Sequence, residues 1–316
     1  MKNHKFQRVI IYGHKPKEHR KFNIVQSKRH THSYIHEGFF KAFRYLGYDT
    51  YWFDDRDNLS GENLRNSLFF TEDQGQKKIP LIPSSTYILH HTDNEKYRSV
   101  NAKILNLCNY VFPLENGISF NYPGSKVEKI SDMTFYDAEN QALYQPWATN
   151  LLPFEIKEYD VKEFDYKQKM INYVGSTKYE DLPVRFKNFK SGLLADGVKF
   201  KNYTNVNDSA AQELIGKSRI SIDIRAAWHL ECGYIPCRIW KSLSYGKYIG
   251  SNSALLRQHF GNFIHISENE SELYSTTLES YAKNKKSTMN EAMLWIKANH
   301  TFLNRAQNLL NLIDRI

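Results

Sequence analysis

The sequence has 316 residues, 41% hydrophobic and 24% charged, with 43 Lys and Arg against 34 Asp and Glu for a formal charge of +9. That length and apolar content suit two α/β domains and exclude wholesale disorder, and 15 Gly with 9 Pro exclude a collagen-like or linker-like chain. No apolar run approaches the roughly 18 residues of a membrane-spanning helix, and the first residues (MKNHKFQRVIIYGHK) lack the apolar core of a secretory signal, so a soluble, cytoplasmic protein is expected.

The first strand is RVIIYG, a β-branched run ending in Gly13. A basic, histidine-rich loop follows, and then Ile35, Phe39, Ala42, Phe43 and Leu46 fall at helical spacing with Gly47 as the stop. Tyr48–Phe53 reads as the second strand, ahead of the acidic turn DDRD. Thr86–His90 (TYILH) reads as another strand, and Tyr110–Phe112 as a further short one. From Gln145 to Tyr166 the composition shifts to Pro, Asn and acids without periodicity, which places the interdomain linker there. A new strand (MINYVGS) starts at Met170. Phe186–Leu194 is amphipathic, Val198–Tyr203 returns to strand, and Ser209 with Gln212 has capping-box spacing at the start of a helix. Ile220–Ile224 is a strand, Ile235–Leu243 a helix stopped by Gly246, and Tyr248–Gly250 a strand. Phe302, Ala306, Leu309, Leu310 and Ile313 form one face of a terminal helix.

The expected fold class is therefore α/β, with two Rossmann-like domains facing a central cleft and a C-terminal helix. The domains are placed at 1–148 and 149–316, with the terminal helix packing back on the first. The positive excess favours anionic partners. Its spread, apart from Lys15–Lys21 and Lys28–His32, lacks the stripe of a nucleic-acid binder, so no nucleic acid is expected, whereas peripheral membrane association stays open. Cys108, Cys232 and Cys237 form neither a disulfide framework nor a CxxC zinc pattern.

Three constellations could carry chemistry. Gly175-Ser176-Thr177 lies at the carboxyl end of a strand, where ligands bind in open α/β sheets, although a plain turn needs the same residues. Arg225, Tyr234, Ile235, Pro236, Cys237, Arg238 and Lys241 surround the start of a helix whose free N–H groups suit an anion. A cation in that first turn, Arg238, suits a bound diphosphate. Pairing of Arg238 with Glu231 or Asp223 is the alternative. Third, His91 and Asp93 follow strand TYILH, and His14 follows Gly13. Each is a candidate general base, although Asp93 could instead cap the next helix, and the two histidines and two acids of His90–Glu95 could equally ligate a metal. Gly13, His32, His36 and Glu37 could line an acceptor side. His32 and His36 share a helix face only if the helix begins by Thr31, so no metal site is assigned.

The order Gly233-Tyr-Ile-Pro236-Cys-Arg238-Ile-Trp-Lys241-Ser-Leu-Ser-Tyr-Gly246 resembles the donor-site segment of GT-B glycosyltransferases, in the branch typified by spore-coat-maturation glycosyltransferases. His300, Thr301 and Arg305 resemble that branch's terminal His-Thr-x-x-x-Arg helix, and Tyr144–Pro153 resembles its crossover between domains. The likeness covers about residues 140–316. It implies metal-independent transfer of a sugar from a nucleotide-diphosphate donor, bound in the second domain, to a saccharide or glycan acceptor bound in the first. It implies no cofactor, and a place in glycan biosynthesis. The chain departs from the family where paired glutamates often stand, at Gly233 and Lys241; a lysine cannot accept a hydrogen bond from a ribose hydroxyl. Another nucleotide-sugar enzyme such as an epimerase, or a non-catalytic binding protein on a decayed transferase scaffold, are the alternatives.

Overall fold

The computed structural model describes residues 6, 8–16, 19, 31–72, 76–90, 95–110, 127–157, 169–283 and 286–315. The chain divides into two compact units, Met1–Asn150 with Phe302–Ile316, and Leu151–Thr301. The division falls two residues beyond the boundary drawn from the sequence, and the terminal helix counts with the first unit.

In the first unit β1 (Arg8–Tyr12), β2 (Thr50–Phe53), β3 (Ser67–Glu72), β4 (Thr86–His90), β5 (Lys103–Cys108), β6 (Val127–Ser131), β7 (Thr134–Asp137) and β8 (Ala142–Tyr144) make one eight-stranded sheet, ordered β2-β1-β3-β4-β5-β8-β7-β6. The pairs from β2 through β5 to β8 are parallel, and β8-β7-β6 is an antiparallel edge. The central strand β3, SLFFTE, is buried at every position because both faces of a parallel strand are covered. That burial erases the alternation by which a half-exposed strand is read, and the sequence reading placed no strand there. Tyr110–Phe112 is not where the next strand lies: β5 ends at Cys108, Tyr110 is irregular, and residues 111–112 are outside those described.

Helix α1 (Thr31–Tyr45) buries Ile35, Phe39, Ala42 and Phe43, and the Phe39 ring lies 4.2 Å from that of Phe70 on β3. A short helix, α2 (Glu95–Arg98), buries Tyr97 on the other face, 4.8 Å from the Tyr87 ring. The last helix, α10 in the order completed below (Phe302–Arg315), buries Phe302, Ala306, Leu309 and Ile313. Gly38 is what lets it approach α1: a Cβ there would stand 2.2 Å from the Phe302 ring. Arg305 is fully buried and donates to the Pro146 carbonyl at 2.8 Å, and burial holds its guanidinium down to about 10.

In the second unit β9 (Met170–Val174) and β10 (Lys199–Tyr203) pair in parallel, as do β11 (Ser221–Asp223), β12 (Ile249–Ser251) and β13 (Ile264–Ile266). Asn172 of β9 is tied to the segment before β11, its N–H donating to Ser218 Oγ at 2.8 Å and its side chain to the Leu214 carbonyl at 2.9 Å. The helices are α3 (Leu182–Ala195), α4 (Asp208–Gly216), α5 (Ala227–Glu231), α6 (Cys237–Ser244), α7 (Leu256–Phe260), α8 (Leu273–Lys283) and α9 (Lys286–Asn299). Helix α4 is capped two residues earlier than expected: Asn207, not Ser209, is the N-cap and accepts from the Ala210 N–H. The core joins Ile171 and Tyr173 of β9, Phe186, Phe189 and Leu193 of α3, Ile222 of β11 and Leu273 of α8. No helix among the described residues is long and apolar enough to cross a membrane.

Substituting Gly38 by Ala is expected to cost about 1–3 kcal/mol through overpacking against Phe302. Combining it with Phe302→Ala should cost less than the two single changes summed. A urea-denaturation double-mutant cycle reads the coupling, and strict additivity would dismiss the close approach as the reason for glycine.

Candidate anion-binding site and histidine cluster

The site in the second unit is built around Asp223, the last residue of β11, which is fully buried. Its Oδ2 accepts from Arg225 Nε at 2.8 Å and Ser251 Oγ at 2.9 Å, and its Oδ1 from Arg238 Nη1 at 3.2 Å. Burial alone would raise this carboxyl, but Arg225 and then Arg238 hold it below the usual carboxylate range. Asp223 thus stays an anion and uses both oxygens to fix two cations.

Arg225 is almost fully buried. Its backbone N–H donates to Asn252 Oδ1 at 2.9 Å, the Asn252 amide returns a bond to its carbonyl at 3.1 Å, and its Nη1 donates to the Tyr234 carbonyl. Its Nη2 is buried and has no hydrogen-bond acceptor among the described residues. Arg238 extends from the first turn of α6 across the end of β9. Its Nε donates to the Val174 carbonyl at 3.2 Å, and its guanidinium lies 4.3 Å over the Tyr173 ring. The side chain keeps 21% of its exposure.

Gly175 explains why this packing needs a glycine. Its φ is +150°, and a Cβ would stand 2.3 Å from Arg238 Nη2. The turn it opens is pinned by Asn202, whose amide donates to the Gly175 carbonyl at 2.7 Å and whose oxygen accepts from Thr177 at 3.3 Å. Ser176 Oγ accepts from the Lys178 N–H at 3.2 Å. Helix α6 begins at Cys237 with Pro236 as its N-cap, and no side chain caps its first turn. The structure therefore gathers Gly175, Arg225, Tyr234 and Arg238 at the carboxyl ends of β9 and β11, with Pro236 and Cys237 opening the adjoining helix. The pairing of Arg238 with Asp223, posed as an alternative from the sequence, is present. One carboxylate against two guanidiniums still leaves a positive excess.

Two residues named with this group do other work. Lys241 is buried and its ammonium donates to Asp208 at 2.5 Å, where the first turn of α4 holds it. Burial is the largest influence and would depress that ammonium, but Asp208, together with Cys237 and Tyr245, raises it above its ordinary value. Ile235 is wholly buried and packs as core. His229 was not singled out from the sequence. Its ring lies 5.1 Å from that of Tyr234, and burial, with Arg225 next, lowers its basicity.

In the first unit the carboxyl ends of β1, β3 and β4 bring histidines around Glu72. Glu72 and His90 are register partners on parallel neighbours and so project from the same face as Phe70, the face that α1 covers. Glu72 is fully buried; His14 Nε2 lies 3.7 Å from its Oε1, and His32 Nδ1 is in direct contact with its Oε2. His90 Nε2 lies 3.4 Å from Asn109 Oδ1. His36, expected on an acceptor surface, is instead buried under Gly13, 5.7 Å from the Phe70 ring and 6.1 Å from Trp52. Gly13 itself is buried for the same reason, since a Cβ would stand 2.2 Å from His36. Glu37 is partly exposed beside His19. His91 and Asp93 lie outside the described residues. Glu72 escaped the sequence reading because its strand did.

The motif residues at the chain's return are structural. His300 is buried and stacks 4.5 Å from the Trp240 ring, Thr301 is buried, and Arg305 anchors α10 as described.

No protein-family model and no curated protein matches the sequence. Solved structures do. A trehalose-6-phosphate protein from E. coli, bound with UDP-2-fluoro glucose, superposes at a TM-score of 0.52 and 8% identity, over 98% of this chain and 99% of that one. Trehalose-6-phosphate synthase OtsA superposes at 0.54 and 10% identity, over the same shares. The α/β fold, with its large parallel sheet and flanking helices, is that of GT-B glycosyltransferases.

Asp223→Asn is expected to destabilise the protein by about 3–5 kcal/mol, because it leaves two buried cations short of their counter-ion. In the wild type, the stabilisation from this depressed carboxyl is complete above its unfolded value, about 3.9. It is lost as pH falls through the lower folded value. Guanidinium chloride midpoints from neutral to acidic pH should show a steeper acid loss in the wild type than in the variant; parallel curves would exclude the linkage.

Proposed function

We propose that this chain is a glycosyltransferase that takes a sugar from a nucleotide-diphosphate donor and passes it to a saccharide or glycan acceptor. The observation that carries the reading is the paired guanidinium arrangement on Asp223. Arg225 presents a buried Nη2 that has no acceptor among the described residues, and Arg238 Nη2 lies against Gly175 beside the start of α6, whose first turn has no side-chain cap among them. A diphosphate would supply the missing acceptors through charge-assisted bonds, and its oxygens suit the first-turn N–H groups.

Departure of the nucleotide diphosphate places growing negative charge on the leaving oxygens. Cations already fixed by Asp223, Val174 and Tyr234 need no reorganisation to meet that charge, which is how such a site lowers a barrier. Two guanidiniums and a helix start can supply this neutralisation, so we propose that transfer takes no metal at the diphosphate. Gly175, Ser176, Tyr234, Pro236 and Cys237 complete the proposed donor surface. Lys241 supports it indirectly, by locking α6 to α4 through Asp208. The same lock leaves no carboxylate at this position for ribose hydroxyls, so the ribose must be held by other groups.

The base for an acceptor hydroxyl is proposed in the first unit, from His14 with His91 and Asp93. His14 is partly exposed and has Glu72 behind its Nε2. A carboxylate so placed orients an imidazole and stabilises its protonated form. We further propose that the protein works in the cytoplasm in glycan biosynthesis, without a cofactor.

A thermal-shift series against nucleoside diphosphates and nucleotide sugars tests the donor assignment. A ligand at 100 times its dissociation constant stabilises by about 2.7 kcal/mol. Uridine or another nucleoside diphosphate should raise Tm, the corresponding nucleoside should not, and Arg238→Ala should abolish the rise. Gly175→Ala should do the same while leaving the second-unit core intact. A panel with no responding diphosphate would sink the assignment, whereas binding with no transfer to any acceptor would favour the non-catalytic alternative.

A further inference from the structure

Glu72 poses a charge problem. Its carboxylate is wholly buried. Its close neighbours are imidazoles, His14 on one oxygen and His32 on the other. An ionised carboxylate held this way costs several kcal/mol unless a cation compensates it. One ligand atom from each of His32, Glu72 and His90 lies within 4.8 Å of the others.

From this convergence we propose that His32, Glu72 and His90 bind a divalent transition-metal ion, Zn²⁺ being the best fit. The site is new relative to the transferase reading and does not rest on it. Two imidazole nitrogens and one carboxylate suit zinc, whereas calcium and magnesium require mostly oxygen ligands. Zinc binds such ligands at about 2.0–2.2 Å, which puts tetrahedral neighbours about 3.3 Å apart.

The backbone prepares the arrangement. Glu72 and His90 are held side by side by the β3–β4 register, and His32 enters from the first turn of α1. That turn is fixed by Ser33 Oγ, which donates to the His14 carbonyl at 2.8 Å. The His32 and His90 rings sit 5.2 Å apart at 71°, so they approach the carboxylate from different directions. Asn109 supplies outer support: with its proton on Nε2, His90 donates to Asn109 Oδ1 at 3.4 Å, which orients the ring. Three protein ligands leave a fourth position for water or an oxygen ligand, the pattern of open rather than closed zinc sites. The sequence alone assigned no metal, because only tertiary structure sets Glu72 beside these histidines.

The test uses the full chain, stripped with a chelator and titrated with Co²⁺ alone. One equivalent should bind with the visible ligand-field absorption of a four-coordinate nitrogen and oxygen site, and Zn²⁺ should displace it and raise Tm. Glu72→Gln and His90→Ala should each weaken binding at least about 100-fold, and Asn109→Ala about 10–100-fold as an outer-support residue. Should the ligand variants fail to fold, Asn109→Ala decides. The proposal is overturned if the wild type takes up no stoichiometric ion, if affinity is unchanged in these variants, or if a thiolate-to-cobalt band assigns the ion to a cysteine. Because the readout uses no nucleotide and no sugar, its failure leaves the donor-site assignment standing, and the converse also holds.

Discussion

The second unit depends on one buried carboxylate doing the work of two ion pairs. Asp223 is fully enclosed, and only its contacts with Arg225, Arg238 and Ser251 make ionisation there tolerable. Those contacts hold both guanidiniums in place. The Arg238 guanidinium reaches the Val174 carbonyl on β9, the Arg225 guanidinium reaches the Tyr234 carbonyl, and the Arg225 backbone N–H bonds Asn252 beyond β12. The β9 and β11 ends, which belong to separate ladders, are thereby referenced to the same charge. At this point the cations outnumber the carboxylate that organises them.

The first unit presents the mirror of that logic. Its buried carboxylate, Glu72, is surrounded by groups that are neutral or cationic according to protonation, and no lysine or arginine is recorded against it among the described residues. Guanidiniums keep their charge at every physiological pH, whereas imidazoles exchange theirs for a metal bond or a proton. Each unit thus places a buried acid at the carboxyl ends of parallel strands, where sheets of this type gather ligands. They part company in which partner the acid keeps.

The terminal helix shows how the chain uses small and charged residues to settle a packing choice. Gly38 opens the space that Phe302 fills, and Arg305, though its charge is disfavoured by burial, is held by the Pro146 carbonyl. At the tip, Arg315 bonds Glu128 of β6 at 2.6 Å, an exposed pair worth little on its own. Apolar burial along α10 carries the attachment; the polar contacts set its register.

What the sequence determined by itself was the α/β class of elements and the segment in which Arg225 and Arg238 stand close together. The β-branched run at 8–12, the helical spacing of Ile35 to Phe43, and the strands read from Met170 to Gly175 and over Ile220–Ile224 were legible because they obey local periodicity, the last being Ser221–Asp223 in the structure. The Pro236–Arg238 helix start was legible because a cation in a first turn is locally unfavourable. Strand β3, the burial of His36, the Asp208 partner of Lys241 and the company of Glu72 were not. Each depends on residues far apart in the chain meeting across a sheet or between helices, and continuous burial removes the alternation that would announce it. Local chemistry named Arg238 as a residue needing an anion. Tertiary structure alone decided that Asp223 satisfies part of that need and leaves Nη2 of Arg225 without an acceptor among the described residues.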